Sequence, residues 1–201
     1  MDRTPGFTTE LANLIKNNYY VRNCESNKAK DKHSLSYLID RNMSQSDCIK
    51  LGTGAESVIR EIVSLKNTDL VNIKPPNSLG EKEKDHLFID YTSKILYYAE
   101  LKGNLNLDTE KCKSTSDKCS KIEAELKEKY PDYTVKMYLL GVRYFDRSII
   151  PEIINKKYSC IAGNLIGVND YFKELNVPIE FTDEDDYKNF LNYLANRMFE
   201  E

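Results

Sequence analysis

From Glu100 to Asp108 the chain reads Glu-Leu-Lys-Gly-Asn-Leu-Asn-Leu-Asp, polar at every even position and leucine or glycine at every odd one. In an extended strand, alternation sends Glu100, Lys102, Asn104, Asn106 and Asp108 to one face and Leu101, Leu105 and Leu107 to the other. One edge then offers a carboxylate, an ammonium and two amides within roughly 20 Å. A carboxylate and a lysine two residues apart suit phosphodiester hydrolysis. Hard oxygen ligands hold a Mg2+ ion, which polarises the phosphate and acidifies a bound water. A lysine on the same face positions that water or stabilises charge developing on the phosphate. The backbone carbonyl of Leu101, between the two, is a further candidate metal ligand.

Other chemistries are poorly provided for. The only histidines are His33 and His86, and none of the five cysteines forms a CxxC. That excludes a zinc site at the usual spacings and disfavours histidine-based nuclease fingers and Ser-His-Asp hydrolases. Cys112 and Cys119 lie two helical turns apart, in line with Ile122 and Leu126, which reads as the buried stripe of a helix. Gly52-Thr53-Gly54 lacks the rest of a phosphate-binding signature and reads as a helix entry.

The elements that must position Glu100 and Lys102 can be read from the surrounding periodicity. Residues 8–21 and 54–66 carry apolar residues at helical spacing. Pro75, Pro76 and Gly80 make residues 67–84 largely loop. Residues 86–91 and 95–102 are β-branched and aromatic runs about Thr92-Ser93-Lys94, a hairpin. Asp108 can cap a long helix to about Lys129, ended by Tyr130-Pro131. Residues 134–142 form an apolar, interior strand. A helix near 168–175 follows, and a last one begins after Thr182, where Asp183, Glu184 and Asp185 suit the positive end of its dipole. The expected fold is α/β, with a mixed central sheet flanked by helices.

These residues resemble the PD-(D/E)xK nuclease superfamily, in particular type II restriction endonucleases. The resemblance rests on the helix bearing Glu56, the hairpin from Asp85 to Lys102, the run GNLNLDTEK and the strand at 134–142. It spans about residues 50–145. It implies a restriction-endonuclease-like core and Mg2+-dependent cleavage of double-stranded DNA, usually by a homodimer at a short palindromic site, with a cognate DNA methyltransferase as genetic partner. The first carboxylate is Asp85 or Asp90, neither of which follows a proline. If Ser93-Lys94 is a two-residue turn, Asp85 lies opposite Lys102 and shares the face of Glu100, whereas Asp90 faces Tyr97 and points away. Asp85 is the first choice and Asp90 the reserve, so the expected metal ligands are Asp85, Glu100 and the Leu101 carbonyl. Glu56, bordering the apolar arc of its helix, is a further candidate; its other reading is a surface pair with Arg60.

For DNA contact the candidates are Asn104 and Asn106 on adenine edges and Arg143 and Arg147 on guanine or phosphate. Lys111, Lys113, Lys118 and Lys121 would line the backbone from the long helix. Lys28, Lys30 and Lys32 form either a solvated loop or a phosphate-contacting arm. The 201 residues carry a net charge of −3, so any DNA contact must come from a local positive stripe. With 40% hydrophobic and 30% charged residues, one domain over residues 1–201 can bury a core, with helical additions at both ends. No membrane span or signal peptide is read, and an odd cysteine count without a framework points to a reducing, cytoplasmic setting. Two alternatives stay open: a repair or recombination nuclease on the same core, and a catalytically silent DNA-binding module.

Overall fold

The computed structural model describes residues 32–73 and 84–199 and the short strand Thr4–Pro5. The expected helix at 8–21, Lys28, Lys30 and the middle of the 67–84 loop lie outside these residues.

The chain runs through β1 (Thr4–Pro5), α1 (Gln45–Lys66), β2 (Leu70–Asn72), β3 (His86–Asp90), β4 (Ile95–Lys102) and α2 (Thr109–Lys129). It continues through β5 (Thr134–Gly141), α3 (Glu152–Lys157), β6 (Leu165–Ile166), α4 (Val168–Glu174), β7 (Ile179–Glu180) and α5 (Glu184–Phe199). Five strands form one sheet in the order β2-β3-β4-β5-β6. Pairing is antiparallel up to β4 and parallel beyond it. β1 and β7 form a separate parallel pair. The architecture is therefore α/β, a mixed sheet flanked by helices.

Strand alternation explains the layers. Phe88, Tyr97, Ala99, Leu101, Tyr138 and Leu140 face one way, into a core with α1, α4 and α5. Leu87, Ile89, Leu96, Tyr98, Met137 and Leu139 face the other, against α2 and α3. β4 and β5 are buried on both sides, which is why their sequences read as apolar runs. Cys112, Cys119, Ile122 and Leu126 do form the inward stripe of α2. Burial, followed by the charge of Glu100, pushes the Cys119 thiol up to about 12, so it packs as an inert side chain.

Two expectations are corrected. Gly52-Thr53-Gly54 lies inside α1, which begins nine residues before Gly54 at Gln45. The start is set by Ser44: its hydroxyl accepts from the Asp47 N–H at 3.1 Å, and the Asp47 carboxylate accepts from the Ser44 N–H at 3.0 Å. Gly54 instead lets α5 approach, since a Cβ there would run into the Met198 side chain. The polar row from Glu100 to Asp108 is also not one extended strand. β4 stops at Lys102, and Leu105 turns into the α2-side core while Leu101 stays on the α1 side.

Candidate active site

The hairpin register decides which carboxylate meets Glu100. His86 pairs with Ala99 and Asp90 with Ile95, leaving a four-residue turn, Tyr91–Lys94. The register is thus two residues from the one expected for a Ser93-Lys94 turn. Asp85, one step before β3, comes beside Glu100 and not Lys102. Because the shift is two and not one, every side chain keeps its expected face.

Asp90 is consumed by the turn. Its carboxylate accepts from the backbone N–H groups of Thr92 and Ser93 at 2.9 and 2.8 Å, which hold it below the usual aspartate range. It sits five residues along β4 from Glu100, on the opposite face. Asp85 does the reverse. Its carboxylate accepts the Leu101 N–H at 2.7 Å, bridging β4 where β3 has ended. Burial first, and then the neighbouring Glu100 charge, raise its pKa. Since N–H and C=O of a strand residue point to the same edge, the Leu101 carbonyl also faces the Asp85 side.

Glu100 is 1% exposed and holds two ammoniums. Lys102 donates to Oε1 at 2.7 Å, and Lys118, reaching from α2, lies 2.6 Å from Oε2. The Tyr98 hydroxyl adds a bond to Oε2 at 3.1 Å. Burial opposes the Glu100 charge, but the two lysines together prevail and hold the carboxyl below its ordinary value. Lys102 is raised in turn, burial opposing and the Glu100 and Asp85 carboxylates prevailing.

A cleft of about 500 Å3 opens beside this cluster, with Asp85, Leu101, Lys102 and Asn104 on one wall and α1 residues, among them Glu56, on the other. It forms because a second segment continues the edge that β3 abandons. Leu35 donates to the Gly103 carbonyl at 2.5 Å, and Ser34 bridges Asn104. Glu100 is buried and does not line the cleft. Glu56 lines the cleft and is paired with Arg60. Arg60 also donates to the Asp85 carbonyl at 2.6 Å. His86 fastens the same corner: Nε2 donates to the Glu56 carbonyl at 2.9 Å, which leaves Nδ1 to accept from Tyr171 at 3.2 Å. Burial depresses His86 to about 3, so it is a neutral pin between sheet and helices.

The DNA-facing candidates scatter. Asn104 is in the cleft, its side chain accepting from the Asn106 N–H at 2.7 Å. Asn106 is exposed and holds Lys157 at 2.7 Å. Lys111 pairs with Asp108 at 3.0 Å on the exposed start of α2, where Lys113 is exposed too. Lys121 lies exposed, 3.9 Å from Glu125. Arg147 is exposed and bonds the Gly163 carbonyl at 3.3 Å. Arg143 is 8% exposed, bonded to the Lys32 carbonyl at 3.2 Å and Glu184 at 3.0 Å. Its guanidinium lies over the rings of Tyr37 and Tyr144, so it fastens loops together. Lys118 was read as a backbone contact but belongs to the Glu100 cluster. The signal was its place on the helix, three residues after Thr115 and four before Ile122, at the border of the buried stripe.

Among the described residues, no three histidine, cysteine or carboxylate side chains gather as a metal site, and no helix is long and apolar enough to cross a membrane. In comparisons with known proteins, no family model, no curated protein and no solved structure matches this chain.

Proposed function

We propose that this chain is a Mg2+-dependent endodeoxyribonuclease of the PD-(D/E)xK kind, built on a restriction-endonuclease-like core. The reading includes cleavage of double-stranded DNA at a short, palindromic site by a homodimer, with a DNA methyltransferase as genetic partner. The observation that carries it is the convergence of Asp85, Glu100 and Lys102 across a hairpin, with Asp85 and Lys102 on the wall of one cleft and Glu100 buried beside them. An ordinary surface salt bridge would have no reason to draw a second carboxylate onto a backbone N–H beside it.

The donors suit the ion in kind. Asp85, Glu100 and the Leu101 carbonyl are all hard oxygens, and water would complete the small octahedral shell that Mg2+ prefers. Asp85 and Glu100 repel each other in a buried setting, so a dication between them is favoured by both. Bound there, Mg2+ supplies Lewis acidity toward the phosphate and an acidified water. The protein's own part is positional. Lys102 stands at the cleft wall, 31% exposed, where its ammonium can meet a phosphate oxygen. The Leu101 N–H fixes Asp85, and Arg60 and His86 fix the backbone on either side of it. Glu56 adds negative charge across the cleft.

The double clamp on Glu100 favours the second reading, a catalytically silent DNA-binding module, because it neutralises the carboxylate without an ion. One experiment separates the two. Purified protein is incubated with long unmethylated DNA and Mg2+. Discrete fragments support a restriction enzyme, a smear a nonspecific or repair nuclease, and intact but bound DNA the silent module.

A further inference from the structure

We propose that Lys118 is an internal counter-ion that holds Glu100 until a divalent cation arrives and then gives way to it. The inference rests on the metal-dependent reading above and deepens it: ion entry and the release of one lysine become a single event.

The argument starts from burial. Glu100 is 1% exposed, and a bare carboxylate there would be strongly disfavoured, so it needs a cation beside it in every state of the protein. Two are present, at 2.7 Å on Oε1 and 2.6 Å on Oε2. With Asp85 the cluster holds two negative and two positive charges. Adding a dication would leave two charges in excess within a few ångströms, so one ammonium must withdraw.

Lys118 is the one placed to do so. Lys102 is tied to Glu100 through the strand they share, two residues apart on one face. Lys118 comes from a different element, at the border of the α2 stripe, and its long stem can retract to solvent without moving β4. Lys118 holds Oε2 of Glu100 and Lys102 holds Oε1, so withdrawal of Lys118 frees one carboxylate oxygen for an ion while Lys102 keeps the other.

The test reads ion affinity and needs no cleavage. Wild type, Lys118→Met, Lys118→Arg and Lys102→Met are titrated with Mn2+ in the absence of DNA, and free Mn2+ is followed by electron paramagnetic resonance. A competing ammonium, once removed, should leave Lys118→Met binding at least about tenfold tighter than wild type. Lys118→Arg, whose fork grips a carboxylate with two bonds, should bind several-fold more weakly. Lys102→Met should tighten binding less than Lys118→Met. Equal affinity in wild type and both Lys118 variants, weaker binding by Lys118→Met, or a larger gain in Lys102→Met each overturns the role of Lys118. If Lys118→Met fails to fold, Lys118→Arg decides alone: weaker binding supports the role and unchanged binding overturns it. A wild type with no saturable Mn2+ site would overturn the metal-dependent reading itself, a distinct outcome.

Discussion

At the residue scale, Lys102 and Glu100 are not equivalent targets. Lys102→Ala leaves Glu100 paired with Lys118 and Tyr98, so the fold has no new buried orphan. Cleavage should fall by about a hundred- to a thousandfold, the range of a lost transition-state donor, while the melting temperature stays within a few degrees of wild type. Glu100→Ala removes the partner of two ammoniums at once. It should abolish cleavage and also lower stability more than Lys102→Ala does, since two part-buried ammoniums lose their shared partner. Thermal melts alongside DNA cleavage check both, and a Lys102→Ala enzyme with wild-type cleavage would remove the lysine from the chemistry. The two aspartates give a sharper contrast. Asp90→Asn keeps a side-chain oxygen for the Thr92 and Ser93 N–H groups and should stay active. Asp85→Asn keeps its bond to Leu101 but loses its charge, and should be inactive in the same assay; the reverse pattern would mean that Asp90 serves the site. Glu100 with Lys102, and Asp85 on their face, were legible because strand alternation needs only parity. The clamp by Lys118 and the burial of Arg143 were not. Both depend on tertiary contacts, α2 against β4 for Lys118 and the Lys32 and Glu184 segments against Arg143.

At the scale of elements, turn chemistry explains where the sequence reading slipped. Ser93-Lys94 lacks the glycine or asparagine that a two-residue turn favours, and the chain makes a longer loop with Lys94 alone at φ 52°. That loop length moved the register by two. The starts and ends of β4, β5 and α2 follow from period and caps, whereas α1 begins nine residues before its apolar period suggests, because the Ser44–Asp47 box sets its start. Ser44→Ala should therefore lower stability by about 1 kcal/mol, seen in denaturant melts, without touching the site directly. The α4–β5 contact gives a pH dependence. Glu174 accepts from the Tyr138 hydroxyl at 2.6 Å and lies 3.1 Å from the Lys136 ammonium. The Tyr138 bond, with Lys136 also helping against partial burial, holds its carboxyl below the usual value. A depressed carboxyl stabilises the fold above its unfolded pKa, and that contribution is lost as pH falls through the folded one. Wild type should thus melt above Glu174→Gln at pH 7, by about 1–3 °C for a half-exposed group. The gap should close as the solution is acidified below the ordinary glutamate range. A gap that persists at low pH would mean the contact acts through shape and not charge.

At the scale of the whole molecule, the proposed nuclease would have to serve two DNA strands. Among the described residues one Asp85–Glu100–Lys102 group stands beside the cleft, and the net charge of −3 gives no broad field to hold DNA nonspecifically. A symmetric site presents the same base edges and the same scissile bond twice, related by a two-fold axis. The simplest protein for it repeats its own surface about the same axis, so that each copy cuts one strand. Two chains per DNA site are therefore expected in sedimentation of the complex. The complex should be formed with Ca2+, which supports binding in a looser shell while activating water poorly. The same geometry makes a kinetic demand: with both copies in place, supercoiled plasmid should pass to linear form with little nicked circle building up. One chain per site, with nicked circle accumulating first, would overturn the dimer and leave an enzyme that cuts the strands in succession.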